Sequence, residues 1–308
     1  MSHPNTKKST LSRRAFLKTA TALGATIAAG PLLAACSPRA SSDPLKIGVL
    51  LPYSDVYAAL GESITEGMKM YFDETGNTAG GRSIQLVVED EGTAPDAALQ
   101  KARKLVEQDE VDLLTGVVSS GVLAALRDYL EATNKLLICS NAGSNAHSRD
   151  KKSRTIWRTS FTNWMPNWPM GTWAAANVGK RAFVSVPDYA AGANTVSAFQ
   201  SSFEAGGGTL VAVQKTPFPN MGDAAPYIAE IAAAAPDFVY CFYSGGAAVT
   251  FVNAYAEFGL AGSLPLLGSG FVVEEDVLPA QGDAALGVRT GLHWALLLDN
   301  PENRKFTA

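Results

Sequence analysis

Short turns rich in hydroxyl and amide groups are the residues here most able to do chemistry. Ser119-Ser120-Gly121 follows an apolar run and opens a helical stretch. A helix start leaves its first N–H groups unpaired, and with a serine hydroxyl beside them they form a ready anion site. Ser120 would also serve there as an ordinary N-cap. Ser140-Asn141-Ala142-Gly143-Ser144 supplies a second small hydrogen-bonding loop after another apolar run. Tyr189, Ser244-Gly245 and Gly268-Ser269-Gly270-Phe271 stand at the ends of three later runs. Groups of this kind grip a small polar molecule; they do not by themselves break bonds.

The other candidates point away from catalysis. Asp90 and Glu91 form a carboxylate pair of the sort used in acid–base work. Their place just after a strand favours a solvated or hinge-supporting role instead. His147 and His293 are isolated and His3 lies near the start of the chain, so no metal is expected. The sequence offers no phosphate loop, zinc spacing or nucleophile elbow, and no cofactor is expected. A net charge of −4 gives no basic footprint for nucleic acid. Trp157, Trp164, Trp168 and Trp173 bunch together, and indole offers a flat apolar face with one N–H donor. Two of the four are expected to pack a hinge, and Trp164 is the expected ligand contact.

The N-terminal segment has a different character. Its first forty residues contain Lys7, Lys8, Arg13, Arg14, Lys18 and Arg39 but no Asp or Glu. Ser12-Arg13-Arg14-Ala15-Phe16-Leu17-Lys18 reads as a twin-arginine export signal. A Gly/Ala-rich apolar stretch follows, too short for a good transmembrane helix. It ends in Leu33-Ala34-Ala35-Cys36, which resembles the lipobox of bacterial lipoproteins, in which the cysteine carries the lipid. Residues 1–36 are therefore expected to be a signal peptide and 37–44 a tether, placing the protein in the periplasm or on the cell surface, anchored through Cys36. Cys139 and Cys241, each at the end of an apolar run, are read as buried free thiols.

Beyond the tether, apolar β-rich runs alternate with amphipathic helical stretches, which predicts α/β architecture with parallel sheets. Strands are expected at 46–51, 83–89, 112–118 and 136–139, with helices around Ile64–Phe72 and over 97–108 and 121–132. Residues 54–61 are expected to form a loop. After a polar stretch the rhythm restarts: helix 171–178, strand 182–186, helix 193–205, strand 209–214, helix 224–234, strand 237–243, helix 247–258 and strand 264–267. The expected organisation is a first lobe over 45–158, a second over 159–290, and a return segment over 291–308. Gly206-Gly207-Gly208 reads as a helix stop.

The architecture, with several strings in order, resembles the type I periplasmic binding proteins of the leucine/isoleucine/valine-binding kind. The strings are Gly48-Val49-Leu50-Leu51-Pro52-Tyr53-Ser54, Asp90-Glu91-Gly92, Pro187-Asp188-Tyr189-Ala190-Ala191-Gly192, Asp237-Phe238-Val239-Tyr240 and Gly259-Leu260. Asn163-Trp164-Met165-Pro166-Asn167-Trp168-Pro169-Met170 resembles a string of the branch associated with aromatic acids. The resemblance implies two Rossmann-like lobes joined by a hinge, with the solute between them. It also implies a chain that ends early, since family members continue past the helix that opens at Asn300.

Carried over residue by residue, the resemblance puts Ser119, Ser120, Asn141, Ala142 and Gly143 at the ligand carboxylate. Trp164, Tyr189, Ser244, Gly270 and Phe271 face it from elsewhere. Amino-acid binders carry an acid for the ligand ammonium where Gly270 falls here, with Glu274 and Glu275 several residues on, and this departure weakens an α-amino acid reading. The implied function is capture of a small carboxylate or amide by a monomer that delivers it to an ABC permease, with no catalysis. Two alternatives are a ligand sensor of the same fold without transport and, more remotely, an α/β enzyme.

Overall fold

The computed structural model describes residues 43–307, and Arg13, Arg14, Cys36 and most of the tether lie outside them. The first sheet contains β1 (Leu45–Leu51), β2 (Thr78–Ala79), β3 (Arg82–Asp90), β4 (Leu113–Gly116), β5 (Leu137–Cys139) and β6 (Ile156–Arg158). Their order is β2-β3-β1-β4-β5-β6, parallel throughout except for the antiparallel β2–β3 pair. Helices α1 (Ala58–Glu74), α2 (Pro95–Glu107) and α3 (Ser120–Thr133) make the crossovers. The chain leaves β1 toward β3 and then returns to β4 on the other side of β1. That reversal creates a crevice at the carboxyl ends of β1 and β4, the usual ligand position in such sheets.

The second sheet repeats the plan. It contains β7 (Arg181–Pro187), β8 (Thr209–Thr216), β9 (Phe238–Cys241), β10 (Leu266–Ser269) and β11 (Arg289–Gly291). Their order is β11-β10-β9-β7-β8, all parallel, with the reversal between β8 and β9 around β7. The flanking helices are α4 (Trp164–Asn177), α5 (Ala190–Ala205), α6 (Ala225–Ala233), α7 (Gly246–Glu257), a short α8 (Leu278–Gln281) and α9 (Pro301–Thr307). Both faces of this sheet are covered, so its strands are apolar on both sides. Along β9 and just beyond, Phe238, Tyr240 and Phe242 enter one core with Phe199 and Phe203, while Val239, Cys241 and Tyr243 enter the other with Ile228 and Phe251. This two-residue period is the pleat itself. Each such side chain contributes about 1.5–3 kcal/mol on burial. Cys139 and Cys241 are free and buried.

Three local expectations are corrected. Residues 54–61 are not a loop: Asp55–Tyr57 form a 3-10 turn that runs straight into α1. Gly61 permits this, because a Cβ there would stand 1.7 Å from the Pro52 carbonyl oxygen. Helix α4 begins at Trp164, seven residues ahead of expectation, despite Pro166 and Pro169. Pro166 falls in the first turn, where the N–H has no partner to lose; Pro169 lies inside, and its missing hydrogen bond is tolerated. Glu91 is not solvated: only 1% of it is exposed.

Candidate functional site

Strand ends from both sheets meet at one crevice. It is lined by Tyr57, Leu60, Val118, Ser120, Asn141 and Gly143 from the first lobe, and by Phe161 and Asn163 from the segment that crosses over. Tyr189, Ala191, Phe242, Ser244 and Phe271 complete it from the second. The space open to the centre of a water-sized sphere is only ≈ 20 Å³. One water needs about 10–15 Å³ on that measure. The lobes are therefore nearly closed on each other, and a larger solute enters only when they part.

The polar end is built on α3. The Ser119 side chain caps that helix, accepting the Val122 N–H at 3.4 Å, and its own N–H donates to Glu91. Among the described residues the N–H groups of Ser120 and Gly121 meet no acceptor, as expected at a helix start. The Asn163 amide reaches the Ser120 hydroxyl at 3.4 Å, and its main-chain N–H donates to the Gly143 carbonyl at 2.7 Å. Gly143 is required here, because a Cβ would meet Asn163 Oδ1 at 2.2 Å. Hydroxyl, amide and main-chain donors thus converge without a charged side chain in the lining.

The rest of the crevice is aromatic and aliphatic. Tyr57 donates to or accepts from Tyr189 at 2.8 Å, joining the lobes hydroxyl to hydroxyl. Tyr189 stacks on Phe218 at 4.1 Å with ring planes 8° apart, and Phe242 and Phe271 meet edge to face at 6.1 Å. Phe161 lies 4.9 Å from Phe271. Burial raises the pKa values of Tyr57 and Tyr189 above the ordinary phenol value. Both therefore keep their protons at neutral pH and remain hydrogen-bond donors.

Of the residues anticipated at the ligand, Ser120, Asn141, Gly143, Tyr189, Ser244 and Phe271 share this crevice. Ser119 stands behind it as the helix cap, and Ala142 is buried with its N–H on the Val117 carbonyl. Trp164 does not line the crevice. It stacks on Trp168 at 6.4 Å with the Arg149 guanidinium 4.7 Å over its ring, and its main-chain N–H donates to Asn145 Oδ1. Gly270 opens a turn beside a second hollow with Glu274 and His293, where a Cβ would strike Leu292 at 2.5 Å. Phe161, Asn163, Val118, Ala191 and Phe242 were missed. Phe242 was hidden because β9 was read as running to Tyr243, and Asn163 because α4 was expected to start later.

Two parallel-sheet lobes with their strand ends facing one crevice define a type I periplasmic binding fold. The family model described as a periplasmic binding protein matches residues 44–308, and the chain belongs to that family. It is 32% identical over 270 residues to the Leu/Ile/Val-binding protein homolog 6 of Brucella melitensis, covering 87% of this chain and 68% of that protein. It is 38% identical to a solute-binding protein of an R. palustris ABC transporter solved with benzoate. That match has a TM-score of 0.81 and covers 85% of this chain and 72% of the other. A second R. palustris solute-binding protein, solved with 4-hydroxybenzoate, is 30% identical with a TM-score of 0.80, over 86% and 72% of the two chains.

Proposed function

We propose that the chain is the extracytoplasmic solute-binding component of an ABC importer and that its crevice takes a monoanionic aromatic carboxylate of the benzoate class. The observation that carries this reading is the lining: neutral donors at Ser120, Asn141 and Asn163 opposite walls of Phe161, Phe242, Phe271, Tyr57 and Tyr189. The donors suit a carboxylate, and the walls suit a ring. An α-amino acid fits less well, because a buried ammonium without a counter-charge costs several kcal/mol. The benzoate- and 4-hydroxybenzoate-bound relatives support the same class.

In this reading the protein is a monomer without catalytic activity. Residues 45–158 and 159–290 move as two lobes about the crossing segment, with residues 291–308 returning toward the first. Closure gives a permease a surface that signals occupancy. Arg13 and Arg14 direct export, and Cys36 carries the lipid that holds the protein at the membrane. Calorimetric titration of the delipidated protein with benzoate, 4-hydroxybenzoate and leucine tests the ligand class. Binding of the aromatic acids but not of leucine is expected, and the reverse order overturns the reading. Metabolic labelling with palmitate tests the anchor: loss of label in Cys36→Ala is expected, and unlabelled wild-type protein ends that part.

A further inference from the structure

One ionisable group touches the polar end of the crevice from behind. Glu91 is the first residue after β3, and its carboxylate accepts the Val118 N–H at 2.8 Å on one oxygen and the Ser119 N–H at 2.8 Å on the other. Val118 and Ser120 on either side line the crevice. With 1% of its surface exposed, Glu91 has no water to spread its charge. Beyond those two N–H groups, the titratable groups facing it bring no compensating positive charge. Asp90 on its own strand is a second acid, itself held by the N–H groups of Tyr53 and Gly92. Tyr57 from the turn before α1, Tyr189 from the second lobe and Cys139 from β5 feel its field, and all three are neutral acids held protonated by burial. The cation on the neighbouring helix face, Lys101, is committed to Glu89 at 2.9 Å.

We propose that Glu91 is a specificity-determining residue of this crevice: carrying its proton it admits an anionic ligand beside Ser120, and ionised it repels one. This rests on the aromatic-carboxylate reading and deepens it. Two carboxylates sharing a dry site cannot both hold their charge cheaply, so one must take up a proton. Protonated Glu91 keeps a full acceptor in its carbonyl oxygen and a weaker one in its hydroxyl oxygen, so one main-chain N–H bond is retained and the other is weakened. Desolvation pushes the group up to about 8 against the pull of those two donors, within reach of ordinary buffers.

The test compares benzoate with benzamide, which has the same shape and no charge. If only the protonated form accepts the anion, benzoate affinity falls about tenfold between pH 7 and pH 9, because a pKa near 8 is crossed. Benzamide affinity stays flat. Calorimetry of benzoate binding at pH 8.5 in two buffers of different ionisation enthalpy reads the proton directly and needs no variant. Uptake of about three-quarters of a proton is expected, and none overturns the proposal. In Glu91→Gln, with its melting temperature checked, the benzoate profile should be flat. A variant that keeps the pH slope, or parallel weakening of both ligands in the wild type, also overturns it. Failure of benzoate to bind at pH 7 strikes instead at the ligand class.

Discussion

The Tyr57 hydroxyl lies 2.8 Å from that of Tyr189, a hydrogen bond that joins the two lobes inside the crevice. A bond of this type is worth about 1 kcal/mol. Tyr57→Phe should therefore weaken benzoate binding roughly fivefold. The aromatic walls remain, so the fold should melt within a few degrees of the parent. Dissociation kinetics are the sharper readout, since a lost clasp speeds release more than it slows entry.

Gly245 faces the first lobe at φ 56° and ψ −141°, a backbone conformation suited to glycine. A Cβ there would stand 1.9 Å from the Val56 carbonyl oxygen of the first lobe. Gly245→Ala should hold the lobes apart and weaken ligand binding by tenfold or more. Small-angle scattering should show a larger radius of gyration, and an unchanged radius with full affinity would refute the contact.

Ser120 and Asn163 form the donor pair at the polar end. Hydrogen bonds to a charged partner are worth about 1.5–3 kcal/mol. Asn163→Ala should therefore cost benzoate roughly tenfold to a hundredfold. It should cost benzamide less, because the lost donor meets a neutral carbonyl. Calorimetry on both ligands separates the two effects.

Away from the crevice, the Tyr240 hydroxyl donates to Asn167 Oδ1 at 2.6 Å in the second-lobe core. Tyr240→Phe strands a buried acceptor, which costs about 1–3 kcal/mol. Urea unfolding should register that loss while ligand affinity stays within twofold. A large affinity change would mean that α4 transmits strain to the site.

His147 is buried, with Nδ1 at 3.0 Å from the Ser144 hydroxyl, and desolvation lowers its pKa from 6.5 to about 4. The unfolded chain takes up this proton before the folded one does. Its contribution to stability is thus complete above pH 6.5 and is lost as pH falls toward 4. The loss amounts to about 3 kcal/mol at most. The stability of His147→Gln should fall less steeply over that window than the wild type's.

The alternation of strand and helix was legible because each βα unit carries its own pattern. Val49, Leu50 and Leu51 sit on a strand buried on both faces, and Leu105, Leu126 and Leu130 on helix faces turned inward. The strand-end loops were legible for a related reason: serine, asparagine and glycine where an apolar run stops mark exposed main-chain groups. What escaped notice depended on distance in space. Nothing local says that Phe218, from beyond β8, lies flat on Tyr189, or that Trp164 turns toward Arg149 and leaves the crevice to Phe161. Glu91 was misplaced for the same reason, since its two donors come from residues 27 and 28 positions further along.

A recognition surface made of neutral donors has a consequence for unloading. No ion pair pins the cargo, so its retention depends on many modest bonds that exist together only while both halves clasp it. Dissolved salt has little to screen, and capture should persist from dilute medium to brine. Prising the halves apart strips away the second-lobe side of that grip in a single movement, so a membrane partner could empty the protein by mechanical leverage alone.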